Sequence, residues 1–182
     1  MATVFQVADY FLNRNNLLGG DRITALKLQK LVYFAQGYAL ATLGRPLFDE
    51  LMYAWEHGPV CVALYNKYKK TKDFEAAPLE PVYESAAEAA KALKAARKPF
   101  TSEETSLLEN ILACYGDYTA GALSRMSHQT TPWQKAFPGR LIKRDSMKSF
   151  FSDHFKADKV EIIPLTRAEA DEIANKAGVG LQ

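Results

Sequence analysis

The sequence predicts an all-α or nearly all-α fold: a single compact multi-helix domain around a buried central helix, with room for one small two-stranded β element. Two observations lead to this prediction. Apolar residues recur three and four positions apart in most of the chain, which is the spacing of amphipathic helices. One such segment, residues 25–43, is apolar around most of its circumference, as expected for a helix buried on all sides.

The first two helices have clear start and stop signals. Thr3 and Gln6 have the spacing of a capping box and begin a helix that we expect to end near Gly19-Gly20. Thr24 caps the second helix, which reaches about Leu43 and forms the centre of the domain.

The segment after the central helix is short and mixed. Residues 51–55 alternate as a short strand would, and residues 160–163 are its predicted partner. Gly58 and Pro59 suit the cap and the first position of a third helix. We assign structural roles to six residues at bends, helix starts and close approaches: Gly37, Gly44, Pro46, Gly58, Pro59 and Pro132.

The second half of the chain is also predicted to be mainly helical. Thr101 and Glu104 form a second capping box, and residues 73–84, with two prolines, are predicted to be a loop. The other helical segments and brief turns share an apolar stripe or a stop signal: 85–98, 101–116, 122–126, 132–138, 147–154 and 166–178.

Composition excludes several classes of protein. The chain of 182 residues is 48% hydrophobic and 24% charged, as in ordinary globular domains. A net charge of +2, with basic runs nearly balanced by acids elsewhere, does not favour nucleic acid or a membrane surface as partner. Two distant cysteines, no basic leader and no long apolar run lead us to expect a cytoplasmic protein without a membrane partner.

Catalytic motifs are missing from the sequence. It contains no phosphate-binding glycine loop, nucleophile elbow or zinc-protease motif. A small hydrolase or metal enzyme would have to use His57, Cys61 and His128, but Gly58-Pro59 interrupts the spacing of the first two. Cys114, in apolar company, is better explained as a buried thiol than as a nucleophile. We therefore predict no catalytic residue, no metal site and no cofactor.

Aromatic residues remain as the strongest indication of a binding role. Most belong to the core, but tyrosine and tryptophan are also enriched at interface hot spots. We expect His128 and Trp133, on either side of Pro132, to lie beside Trp55 and Gly58. The candidate partner-binding residues are Tyr38, Trp55, Glu56, His57, Tyr65, His128 and Trp133.

Three blocks of this sequence resemble the Panacea antitoxin domain family. They are LKLQKLVYFAQGYALATLGRPLF (26–48), AWEHGPVCVALY (54–65) and LSRMSHQTTPW (123–133). With the helices between them they cover about residues 4–155. The sequence departs from the family at His57, where an aromatic residue, usually tyrosine, is common, and in residues 73–98, which match no block and are expected to be a lineage-specific loop and helix.

The resemblance implies one Panacea-type domain over residues 1–182 that binds and neutralises a cognate protein toxin. Its SocA-like branch further implies an adaptor that delivers the toxin to the ClpXP protease. A module of phage or mobile-element origin with another partner is the alternative within the binding class. The sequence favours neither a monomer nor a dimer.

Overall fold

The computed structural model describes residues 1–18, 22–70 and 77–157. Those residues form eight α-helices and one two-stranded antiparallel sheet, which confirms the predicted fold class. The elements are α1 (Val4–Leu18), α2 (Ala25–Thr42), β1 (Met52–Trp55), β2 (Gly58–Cys61), α3 (Val62–Tyr68), α4 (Ala86–Arg97), α5 (Ser102–Tyr115), α6 (Ala120–His128), α7 (Thr131–Ala136) and α8 (Arg144–Ala157). Within these ranges no helix is both long and apolar enough to cross a membrane. The predicted strand 160–163 and helix 166–178 lie outside the described residues.

Helix α2 is the centre of the fold, as predicted. Thr24 caps it by accepting a hydrogen bond from the backbone N–H of Lys27. Nearly every residue of α2 is buried, because α5, α6, α8 and β2 pack around it. The burial predicted from the apolar circumference of this segment is therefore confirmed.

Gly37 allows α8 to pack closely against α2. The ring of Phe151 on α8 lies where a side chain at position 37 would begin, since a Cβ there would be 2.2 Å from Phe151 Cε2. The absence of a side chain at this position is therefore a packing requirement. Gly44 follows the end of α2 with a φ of +71°, a conformation that favours glycine.

The prediction that Gly58 and Pro59 begin a helix is wrong. Both residues lie in β2, and α3 begins at Val62 with Cys61 as its N-cap. Gly58 has a φ of +103° and is paired with Trp55, so the two residues between them form the tight turn of a β-hairpin.

The observed partner of β1 is β2, in an antiparallel register that pairs Met52 with Cys61. The opposite edge of β1 is bonded to residues 139–142: Ala54 N–H donates to the Arg140 carbonyl at 3.0 Å, and Ile142 N–H donates to the Met52 carbonyl at 2.9 Å. Both edges of β1 are thus occupied by segments other than the predicted 160–163.

Two buried glutamines of α2 hold the neighbouring chain in place. Gln36 accepts a hydrogen bond from Leu47 N–H and donates one to the Phe48 carbonyl, each at 2.8 Å. Gln29 accepts from Cys61 N–H at 2.8 Å and donates to the Cys61 carbonyl at 3.3 Å. Their amides satisfy backbone groups that would otherwise be buried without partners.

Candidate partner-binding surface

The outer side of the small sheet is an exposed apolar surface. Along β1, Met52 and Ala54 point into the core, whereas Leu51 and Trp55, on the other side, are 50% and 36% exposed. Leu141 lies opposite Tyr53 on the neighbouring edge and is 42% exposed. We call this surface the hairpin face and define it by Leu51, Tyr53, Trp55, Tyr65, His128, Trp133, Phe137 and Leu141.

The hairpin face concentrates apolar exposure. Of the large hydrophobic side chains that are exposed within the described residues, half belong to it: Leu51, Trp55, Phe137 and Leu141. Single exposed apolar residues are normal on a protein surface, but a group of this kind is typical of an interaction site.

A row of stacked rings forms one side of the face. The rings of His128 and Trp133 are 4.0 Å apart at 22°, and those of Trp133 and Phe137 are 4.7 Å apart at 24°. Trp133 Nε1–H donates to the carbonyl of Trp55 at 3.2 Å, and the ring of Tyr65 packs edge-on against Trp55 at 4.9 Å. These contacts join the hairpin, α3, α6 and α7 into one surface.

The predicted neighbourhood of His128, Trp133, Trp55 and Gly58 is therefore present. A further contact supports it: Ser124 Oγ–H on α6 donates to the carbonyl of His57 at 2.7 Å. Gly58 fits tightly against the same helix, because a Cβ at this position would lie 2.8 Å from Ser127 Oγ.

A buried lysine supports the hairpin from the side of the core. Lys30 on α2 is fully buried, and its Nζ donates a hydrogen bond to the Pro59 carbonyl at 3.2 Å. Burial lowers the pKa of Lys30 to about 7. Burial, together with Lys30 and His57 nearby, also lowers the pKa of His128, which favours the neutral form of the stacked ring.

The structure brings six of the seven candidate residues together: Trp55, Glu56, His57, Tyr65, His128 and Trp133. Tyr38 lies elsewhere, between α5 and α8, where its hydroxyl is 3.0 Å from the hydroxyl of Tyr115. It lines a separate cavity of about 240 Å³ with Leu43, Ile111 and Cys114.

Four residues of the face were absent from the candidate list: Leu51, Tyr53, Phe137 and Leu141. The alternation of residues 51–55 was sufficient to predict a strand, and it contained the signal that Leu51, Tyr53 and Trp55 share one side. For Leu141 the sequence offers no comparable signal, because its exposure depends on pairing with β1.

The geometry does not assemble a nucleophile from His57, Cys61 and His128. Cys61 is fully buried with its N–H bonded to Gln29, and burial raises the pKa of its thiol, which disfavours the reactive thiolate. Burial likewise raises the pKa of Cys114. Across residues 1–18, 22–70 and 77–157, no group of three or more His, Cys, Asp or Glu side chains is placed to hold a metal ion.

A family model described as the SocA-like antitoxin Panacea domain matches residues 28–134, more than half of the chain. The chain belongs to this family. The match begins in α2, contains the whole hairpin and α6, and ends within α7, so it includes most of the face but neither Phe137 nor Leu141.

Among curated proteins, Antitoxin SocA of Caulobacter vibrioides is 49% identical to this chain over 44 residues, which is 24% of this chain and 23% of that protein. The aligned segment thus spans about a quarter of the relative. No solved structure matches the chain.

Proposed function

We propose that this Panacea-domain protein is an antitoxin that neutralises a cognate protein toxin by direct binding through the hairpin face. The mechanism is occlusion of the toxin's active surface, and no bond is made or broken. Membership of an antitoxin family supports the class of function. The observation that carries the choice of surface is the clustering of exposed Leu51, Trp55, Phe137 and Leu141 around one small sheet.

The face has the properties of an interface that is ordered before binding. Aromatic side chains offer large contact areas with few rotatable bonds, and here their rings are already stacked against each other. The hydrogen bond from Trp133 to the Trp55 carbonyl fixes α7 relative to the hairpin. Binding then requires little further ordering, and such preorganisation increases affinity for a given contact area.

To test this, the product of the adjacent gene is expressed in cells with and without this protein, and growth is measured. Growth that depends on this protein shows that it neutralises the product. Leu141→Asp places a charge within the face and should abolish growth rescue while leaving thermal unfolding close to that of the wild type. Val82→Asp is the matched control, since Val82 is 97% exposed and lies outside the face. A neighbouring product that is harmless when expressed alone would contradict the antitoxin function.

The antitoxin is further proposed to deliver its toxin to the ClpXP protease, as the resemblance to the SocA-like branch implies. The toxin's half-life after arrest of translation should then lengthen in cells that lack either this protein or ClpX. An unchanged half-life, with growth rescue retained, would show that sequestration alone neutralises the toxin.

We also propose that residues 1–182 form one domain that acts in the cytoplasm. Packing of α8 against α2 and of α1 against α4 supports one domain, because helices on either side of the family match share a core with it. Limited proteolysis should leave a single resistant fragment that retains both α1 and α8, and fractionation should place the protein with the cytosolic markers.

A further inference from the structure

Basic residues surround the part of the hairpin face that lies outside the family match. Residues 134–148 contain five basic side chains and a single acidic one, Asp145. Arg144 is paired with Asp49 at 3.2 Å. None of the other four makes an ion pair within the described part of the chain: Lys135, Arg140, Lys143 and Lys148.

Two of these charges, those of Arg140 and Lys143, lie next to the exposed apolar residues. Lys135 is exposed on α7, but residues two positions apart on a helix do not face each other, so its side chain lies on the other side of α7 from Trp133. Arg140 donates from its guanidinium to the carbonyls of Lys135 and Phe137 at 3.3 and 3.4 Å, which holds its charge against the backbone of Phe137. Lys143 is exposed two positions after Leu141, on the same side of an extended segment.

Few acids compensate these charges on the hairpin side. Glu50 accepts a hydrogen bond from Val4 N–H at the start of α1, and Asp49 is taken by Arg144. Glu56, at the turn, is the exposed acid next to Trp55. The region around Phe137 and Leu141 is therefore positively charged, although the whole chain has a net charge of only +2.

We propose that the hairpin face binds an acidic protein segment, in which one bulky apolar residue packs on Phe137 and Leu141 and neighbouring carboxylates pair with Arg140 and Lys143. This inference rests on the proposed function and specifies the chemistry of the toxin's contact surface. The apolar contact supplies most of the affinity, because exposed ion pairs contribute little each. The basic rim supplies selectivity and a fast, salt-dependent association.

A protein segment suits this surface better than nucleic acid. Phosphate backbones are bound by extended basic stripes that neutralise many charges, whereas here two basic groups border an apolar centre. Aromatic rings in the row are stacked on one another, which leaves less ring face for a base to stack on.

The first test needs no knowledge of the toxin. A phage-displayed random peptide library is selected on the full chain and depleted on the Leu141→Asp variant. Enriched peptides should carry aspartate or glutamate on either side of an aromatic or leucine residue. Enrichment of neutral or basic peptides, or the absence of any peptide that depends on the face, would overturn the proposal. It would also be overturned if single-stranded oligonucleotides bound to the face more strongly than the peptides in a competition assay.

Charge-reversed variants allow a quantitative test, in which the affinity for a synthetic copy of the most enriched peptide is measured. Arg140→Glu with Lys143→Glu should weaken binding at low salt by about tenfold or more, and high salt should reduce the difference. Lys91→Glu with Lys94→Glu is the control, because both lysines are exposed on α4, which packs on α1, and the change in net charge is the same. Equal weakening by the two pairs would mean that only overall charge matters and would contradict the proposal.

The two charge-reversed pairs are then compared with the wild type for their ability to neutralise the product of the adjacent gene. If that product is toxic and neutralised equally by the wild type and the face pair, the acidic-segment inference fails and the antitoxin function stands. If the product is harmless but the peptide results hold, the antitoxin function fails and the binding chemistry of the face stands. Matching thermal unfolding of both charge-reversed variants establishes that each result reports on binding.

Discussion

Replacement of Gly37 by alanine tests the idea that α2 and α8 pack at a distance only glycine allows. A Cβ at position 37 would lie 2.2, 2.4 and 2.7 Å from three carbons of the Phe151 ring. Contacts between carbon atoms are ordinarily 3.4 Å or more, so the ring would have to shift by about 1 Å. Phe151 is buried and packs against the rings of Tyr33, Phe34 and Tyr38, which leave it little room.

The expected cost follows from two opposing effects. Alanine stabilises a helix interior by up to about 1 kcal/mol relative to glycine. Overpacking of a core costs about 1–3 kcal/mol, and expulsion of a buried phenylalanine costs about 3–5 kcal/mol. Since the ring is enclosed on several sides, we expect the second effect to dominate and Gly37→Ala to lower the free energy of unfolding by about 2–4 kcal/mol.

Urea denaturation followed by circular dichroism measures this difference. Gly121→Ala is the matched control, because Gly121 is in α6 and the nearest atom to a Cβ there is the mobile end of Arg125 at 3.7 Å. The control should be as stable as the wild type or slightly more so. Phe151→Leu in the Gly37→Ala background should recover part of the loss. A Gly37→Ala protein at least as stable as the wild type would refute the close-packing explanation.

Three further predictions concern buried polar groups. Burial lowers the pKa of Lys30 from 10.5 to about 7, so between about pH 7 and 10.5 the unfolded chain binds more protons than the folded one, and stability should rise with pH across that range. Lys30→Met should flatten that rise in urea titrations, and equal slopes for the two proteins would contradict the prediction. Gln36→Leu leaves the amide of Leu47 and the carbonyl of Phe48 unpaired and should lower the free energy of unfolding by about 2–4 kcal/mol in the same assay. A loss below about 1 kcal/mol would show that water replaces the glutamine. Burial alone would raise the pKa of Glu104, but hydrogen bonds from Thr101 N–H and Arg45 outweigh it and lower that pKa. Glu104→Gln should therefore lower the free energy of unfolding by about 1–2 kcal/mol at pH 7, and this difference should vanish as the pH falls through the lowered pKa. A pH-independent difference would exclude the charge of Glu104 as its cause.

Local signals in the sequence predicted the helices well. The capping box of Thr101 and Glu104 is present in full, and the box of Thr3 and Gln6 is formed at the start of α1. Each of these signals involves residues three positions apart. Helix α2 was predicted from its apolar circumference, since such a segment can be stable in water only when other elements cover it.

The hairpin could not be predicted in the same way, because its determinants are far apart in sequence. Gly58-Pro59 suits the start of a helix as well as a strand that follows a tight turn. In the folded protein the strand is stabilised by Gln29 and Lys30 on α2, which form hydrogen bonds with the backbone of Cys61 and Pro59 about thirty residues later. These polar residues were hidden within a segment that the sequence identified only as apolar.

Tyr38 shows the limit of aromatic residues as markers of a binding site. It belongs to the same sequence block as the core aromatics of α2, and its hydroxyl is bonded to Tyr115 beside a separate cavity. Trp133, by contrast, reaches the hairpin through a hydrogen bond that spans 78 residues. Residue type alone does not distinguish these two situations, and the packing of α7 against β1 does.

The polar residues of α2 also determine how binding and stability are connected. Lys30 and Gln29 hold β2 from below, and Trp133 and Ser124 hold the hairpin from the side. Three of these groups, Lys30, Gln29 and Ser124, lie outside the face, so the face is fixed largely by residues that do not themselves contact a partner. Substitution of Leu141 should change affinity with little effect on unfolding, whereas substitution of Gln29 by leucine should lower stability first and affinity only through loss of the folded hairpin. If both substitutions instead reduced affinity equally at temperatures where both proteins are folded, the hairpin would have to be mobile in the free protein, and the low ordering cost inferred for binding would be wrong.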